Sequence, residues 1–398
     1  MYHAFISDGK LFIRESGGAL KEIASKFATE KEQWAERDKS LHSWKTKGNV
    51  QSAYFEPSIV WGGQAASRPF SKFGFKGVMV GGPDTLYYLL TNNYVTGLFK
   101  YSIKDDEELR LFHKNAFVEF GMDYSADSDE FVAAMGNEDG SVNLELLDSE
   151  GVYKQSVTGG DVKDSNPSFS RHNHREVLYQ TAGIARDEAG FAAAHSPEAI
   201  NRINLDTDEV TELVSDDRYD YLLPKEDAAG NLYCIRRPYR RPGHQSPLKT
   251  LLYVVMFPFH FLVAIVRFLN VFTKLFSGEP PRAAGPDMRP SIENKYVRVL
   301  GQTIYLAKVE RSSRYRREPT LVPRSWELVR LSRDGQMEVV AGAVSSFDVD
   351  EQGGIHFTNG FRVSELSGGS TATVFKHKII ENIRVVKAAG EAAGQGPR

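Results

Sequence analysis

The chain has 398 residues, 41% apolar and 25% charged, a balance that excludes a disordered or collagen-like polypeptide and suits one large all-β domain or two ordinary ones. A net charge of −3 excludes a general attraction to nucleic acid, so no nucleic-acid partner is expected and any basic surface must be local. Cys234 is the single cysteine, which excludes an internal disulfide and leaves the compartment open. Residues 1–9 carry neither the basic start nor the apolar core of a signal peptide, and a cytosolic location is the expectation.

From the N-terminus, a short strand at 3–7 precedes a first hairpin at 13–24, IRESGGALKEIA. Residues 26–70 then form an insertion that opens with a charged helical stretch. Thr29 is its candidate cap and Glu32 stands where a capping box needs an acid. A second hairpin follows at 99–112, a pair of strands at 121–135 and a third hairpin at 144–157. The pair 165–180 leads through an Ala/Gly-rich insertion at 182–198 to a fourth hairpin at 202–214. The pair 219–236 leads through the largest insertion, 240–325, to a fifth at 329–341. The pair 345–358 and a sixth hairpin at 363–375 complete the series. The run IIENIRVV at 379–386 follows, and the Ala/Gly-rich tail 388–398 is expected to be disordered.

Six hairpins that alternate with period two across a tight polar turn predict the outer strands of six four-stranded blades. The expected fold is all-β: a six-bladed β-propeller, one domain over 1–387, with helical insertions on one face. The first blade is a strand short at its start, and 379–386 can supply it, so N- and C-terminal strands close the ring and leave no open edge. Asn166-Pro-Ser-Phe-Ser170, then VLYQT and INRINLDTDEVTELV, resembles the repeat of TolB-type propellers, the bacterial WD40-like family. The usual Pro-Asp-Gly turn of that repeat is replaced here by residues 171–175. The resemblance implies a six-bladed ring and a role in protein contacts rather than a chemistry.

Loops joining the second and third strands of a blade leave on the same face as the blade-to-blade connections. All three insertions should therefore share one working face. Within the largest, residues 251–276 read LLYVVMFPFHFLVAIVRFLNVFTKLF, long enough to cross a bilayer. Both flanks belong to one blade, however, and a single crossing would split that sheet across the membrane. A segment lying in the interface, or a re-entrant hairpin kinked at Pro258, fits instead. The expected membrane contacts are Leu251, Leu252, Phe257, Phe259, Phe261, Leu262, Ile265, Phe268 and Phe272. Arg236, Arg237, Arg240, Arg241, Lys249, Arg267, Lys274, Arg316 and Arg317 form the expected basic set facing anionic lipid on the cytoplasmic side of a membrane. The competing readings of the segment are a groove for a partner protein's helix or a buried hairpin.

No nucleophile elbow, zinc-protease motif, phosphate loop or dinucleotide fingerprint occurs. His172, His174 and Glu176 have metal-ligand types at a turn, but no metal and no other cofactor is expected. The run from Asp348 to Gly353 follows a calcium loop only in part, and Asp123, Asp127 and Asp129 make a second acidic turn; both sit where a blade needs a polar turn. Asn166, Asp220 and Asp348 could reach a central tunnel, while His195 and Trp44 fall on the decorated loops. The expected function is a membrane-associated scaffold that binds a protein partner. The alternative is a propeller hydrolase or lactonase acting on a lipophilic substrate.

Overall fold

The computed structural model describes residues 1–46, 72–92, 95–115, 117, 119–240, 256–259, 261, 296–311 and 318–388. The chain divides into two compact units, Met1–Pro238 with Glu318–Arg398, and Tyr239–Arg317.

The first unit is a series of antiparallel four-strand sets. β1 (Tyr2–Ser7), β2 (Lys10–Glu15) and β3 (Leu20–Ile23) are joined by the last strand, β27 (Asn382–Val386), which pairs along β1 from Tyr2↔Val386 to Ile6↔Asn382. The second set is β4 (Gly74–Gly82), β5 (Thr85–Thr91), β6 (Val95–Ser102) and β7 (Glu107–Asn115). The third is β8 (Glu119–Ser125), β9 (Glu130–Gly136), β10 (Val142–Asp148) and β11 (Tyr153–Ser156). The fourth is β12 (Val162–Phe169), β13 (Glu176–Arg186), β15 (Ala199–Asn204) and β16 (Val210–Val214), with β14 (Ala192–His195) extending the far end of β13. One parallel pairing, Val142↔Lys163, links these two sets. The fifth is β17 (Tyr219–Glu226), β18 (Leu232–Pro238), β21 (Glu327–Leu331) and β22 (Met337–Gly342). The sixth is β23 (Ser346–Val349), β24 (Ile355–Thr358), β25 (Arg362–Ser367) and β26 (Ser370–Lys376).

One turn chemistry recurs from the third set to the sixth. Asn137, Asp148, Asp187, Asp227, Ser332 and Asp350 each open a turn in which their carbonyl accepts the amide of a glycine three residues on. Those glycines, from Gly140 to Gly353, all have positive φ, which a side chain would strain. The partial calcium loop at 348–353 is thereby one of these turns: Asp350 Oδ1 accepts the amides of Gln352 and Gly354 at 2.8 and 2.7 Å.

Apolar faces pack between consecutive sets rather than within one. Ala4, Leu11 and Ile13 meet Leu86, Tyr88 and Phe99; Met79, Tyr87 and Leu89 meet Phe131 and Ala133; Phe5 meets Val363, Phe375 and Ile380. The leading edge strands also touch in order: β27 with β4, β4 with β8, β8 with β12, β12 with β17, β17 with β23, and β23 with β27.

The charged stretch after β3 is α1 (Lys26–Thr46), but its cap differs from the expected one. Ser25 Oγ accepts the Ala28 amide at 3.2 Å, and Thr29, one turn inside, donates its hydroxyl to the Ser25 carbonyl. Glu108 of β7 takes both the Ser25 hydroxyl and the Lys26 amide, so the helix starts where a neighbouring sheet can satisfy its first donors. Phe27 then packs on Phe73 and Phe99. In the second unit, β19 (Tyr296–Val299) and β20 (Gln302–Tyr305) form a hairpin followed by the short helix α2 (Leu306–Glu310).

Candidate functional site

Three leading strands carry the same irregularity. β8, β12 and β17 each shift register, and at each shift one residue has positive φ: Gly121, Asn166 and Leu223. A bulge of this kind re-aims the side chains that follow it. Two residues further on stand Asp123, Ser168 and Lys225. Asp123 Oδ2 accepts the Ser168 hydroxyl at 3.0 Å and the Phe169 amide at 3.1 Å. Lys225 Nζ lies 3.8 Å from Asp123 Oδ2 and 3.9 Å from Asp348 Oδ1 on β23. Asp348 is almost wholly buried, and its other oxygen accepts the Val385 amide of β27 at 2.9 Å. Burial lowers the Lys225 ammonium below its ordinary range, against the pull of Asp123. Burial also works to raise the Asp348 carboxyl, but Lys225, Arg384 and Arg171 together hold it low and ionised. Charges from five different sets thus act on one another here.

Beside this centre runs a buried polar chain. His3 Nε2 is 3.1 Å from His356 Nδ1, and His356 Nε2 is 3.2 Å from Asp350 Oδ2. Asp350 is held low despite its burial, chiefly by His356, and as a carboxylate it can only accept. His356 therefore donates from Nε2, accepts at Nδ1 from His3 Nε2–H, and leaves His3 Nδ1 as a buried lone pair with no donor. Burial, then the His356 ring, lowers His3 to about 4.

The residues expected to touch a membrane divide. Leu251, Leu252, Leu262, Ile265, Phe268, Phe272, Arg241, Lys249, Arg267, Lys274, Arg316 and Arg317 lie outside the described residues. Residues 256–259 form a helical turn, and Phe257, Phe259 and Phe261 are 63%, 64% and 55% exposed, with the Phe257 and Phe261 rings stacked 6.0 Å apart. Among the described residues no helix is long and apolar enough to cross a membrane.

Two of the expected basic residues, Arg236 and Arg237, are engaged inside the fifth set. Arg237 is buried, pairs with Asp220 at 2.8 Å and stacks over Trp326; Arg236 pairs with Glu327 at 2.6 Å and stacks over Tyr219. Both sit on β18 itself, where alternate side chains are committed to the neighbouring strands. Arg240 is exposed.

The remaining candidates scatter. Asp220 serves Arg237 and the Glu198 amide, and so does not join Asp348. Asn166 supplies a bulge. His172 contacts Ala228 O and accepts from Arg333 across the turn, while His174 is exposed. Among the described residues no group of three His, Cys, Asp or Glu gathers as a metal site would require. Sequence reasoning missed Lys225 and Arg384; the Leu223-Pro224 step parallel to Asn166-Pro167 was the signal that marked the lysine.

No family model and no curated protein matches the chain. Among solved structures it is similar to the tricorn protease, at 12% identity over 94% of this chain and 33% of that one, with a TM-score of 0.45. It is similar to TolB from Acinetobacter baumannii at 9% identity over 96% of this chain and 66% of the other, TM-score 0.47. It also resembles a nidogen/laminin complex chain at 8% over 97% and 99%, TM-score 0.49. The chain thus spans a third of the first of these and about two thirds of the second. Likenesses this distant carry no argument; the antiparallel four-strand sets, touching one another in order, are by themselves the pairing of a β-propeller.

Proposed function

We propose that the chain is a six-bladed propeller scaffold, held on the cytoplasmic face of a membrane by its apolar insertion, that presents the ring to a protein partner. The circuit of edge contacts from β27 through β23 and back, with β27 completing the first blade, supports six blades and a closed ring. The observation that carries the attachment is the exposure of Phe257 and Phe259 on the helical turn at 256–259, and of Phe261 beyond it. A hairpin buried in the protein would hide these rings, and an interfacial helix displays them. Exposed Arg240 and the basic residues that follow it in sequence add attraction to anionic headgroups of about 1 kcal/mol each.

The hydrolase reading fits less well. A lactonase-type centre would hold a divalent cation among carboxylates, whereas here the Lys225 ammonium already lies within 4 Å of both Asp123 and Asp348. Deleting residues 251–276 tests the attachment. The expected result is transfer of the protein from membranes to the soluble fraction with its fold kept, and retention on membranes would overturn the reading.

A further inference from the structure

The charged centre is short of hydrogen bonds. Lys225 carries three donors, yet its nearest carboxylate oxygens, at 3.8 and 3.9 Å, are beyond hydrogen-bonding distance. Among the described residues, Asp348 Oδ1, on a side chain 1% exposed, has no hydrogen-bond partner, and neither has Arg384 Nε. Leaving such groups unmade in a buried place is costly. Positive groups also gather here: Arg384 and Arg171 act together with Lys225 to hold the Asp348 carboxyl ionised. Arg171 is exposed, and Lys225 keeps 13% of its side-chain surface.

We propose that this centre binds a small oxyanion that still carries a proton, hydrogen phosphate, with Lys225 and Arg384 donating to its charged oxygens and Asp348 Oδ1 accepting from its P–OH. Each unmade bond then has a partner of the right sense. The cationic groups favour an anion, and the ionised Asp348 rejects one with no proton to give. Sulfate matches phosphate in shape but has no hydroxyl at neutral pH, so it should meet Asp348 with lone pair against lone pair. A phosphomonoester, whose second ionisation lies near pH 6, should likewise be refused at pH 7.5.

The test is calorimetric titration and thermal unfolding of the full chain at pH 7.5 with inorganic phosphate, sulfate or methyl phosphate at matched ionic strength. Phosphate alone should bind and raise Tm. Asp348→Asn, which keeps an oxygen for the Val385 amide and gains a donor, should weaken phosphate at least tenfold and admit sulfate. Arg384→Gln should weaken phosphate without admitting sulfate, and it stands in for Lys225→Met should that variant not fold. Equal responses to phosphate and sulfate in the wild type, no response to either, or an unchanged preference in folded Asp348→Asn would each overturn the proposal. Binding of methyl phosphate as tight as that of free phosphate would do the same.

Discussion

Acid should loosen the contact between the first and sixth four-strand sets through one histidine. His3 on β1 and His356 on β24 share a proton in a chain that ends on Asp350, and a further proton on His3 Nδ1 would be a buried charge beside Arg14 and the chain's own amino terminus. The ordinary value of 6.5 falls to about 4 in the folded protein, so below pH 6.5 the unfolded chain binds a proton that the folded one refuses. The stabilisation is complete above pH 6.5 and is lost as the pH falls toward 4. At about 1.4 kcal/mol per pH unit, the loss between pH 7.5 and 4.5 is about 2.5 kcal/mol. His3→Gln keeps a donor for His356 but cannot titrate. Urea unfolding of both proteins at the two pH values separates this effect from that of carboxyls such as Glu198 and Asp164. Burial raises those two, so they act in the opposite sense and equally in both proteins. The wild type should lose about 2.5 kcal/mol more than the variant; equal losses would refute the reasoning.

Three other substitutions bear on the fold. Arg237→Met leaves Asp220 buried without its partner and should cost about 3–5 kcal/mol in urea unfolding, while vesicle binding of the folded variant stays unchanged. Gly121→Ala puts a Cβ 2.8 Å from Asn166 Cα at a φ of +120°, so a loss of about 2 kcal/mol or more is expected, and a neutral result would contradict the bulge geometry. Ser25→Ala removes the cap of α1 at a cost of about 1 kcal/mol, seen as faster amide exchange in its first turn with the sheets unaffected.

The hairpins were legible because each carries its instructions locally, in alternating side chains and a polar turn, at several of them a turn from Asn, Asp or Ser to glycine. Even the strand at 379–386 could be assigned, because the N-terminal blade visibly lacked one. β4 and β5 escaped because VMV and LYYLL are buried on both faces and do not alternate. The cap of α1 escaped because Glu108, the residue that fixes it, is distant in sequence. The same holds for the charged centre: Asp123, Lys225, Asp348 and Arg384 are ordinary strand residues until four sheets bring their edges together. The ion pairs of Arg236 and Arg237 were hidden for the same reason, since their partners Glu327 and Asp220 lie on other strands.

The attachment is tested most directly by sedimenting the full chain with vesicles, anionic or neutral, in parallel with a triple variant, Phe257→Ser, Phe259→Ser and Phe261→Ser. The account predicts that the wild type sediments with anionic vesicles and less with neutral ones, and that the folded variant stays in solution. Sedimentation of the variant to the same extent as the wild type, or no binding by the wild type, would contradict it.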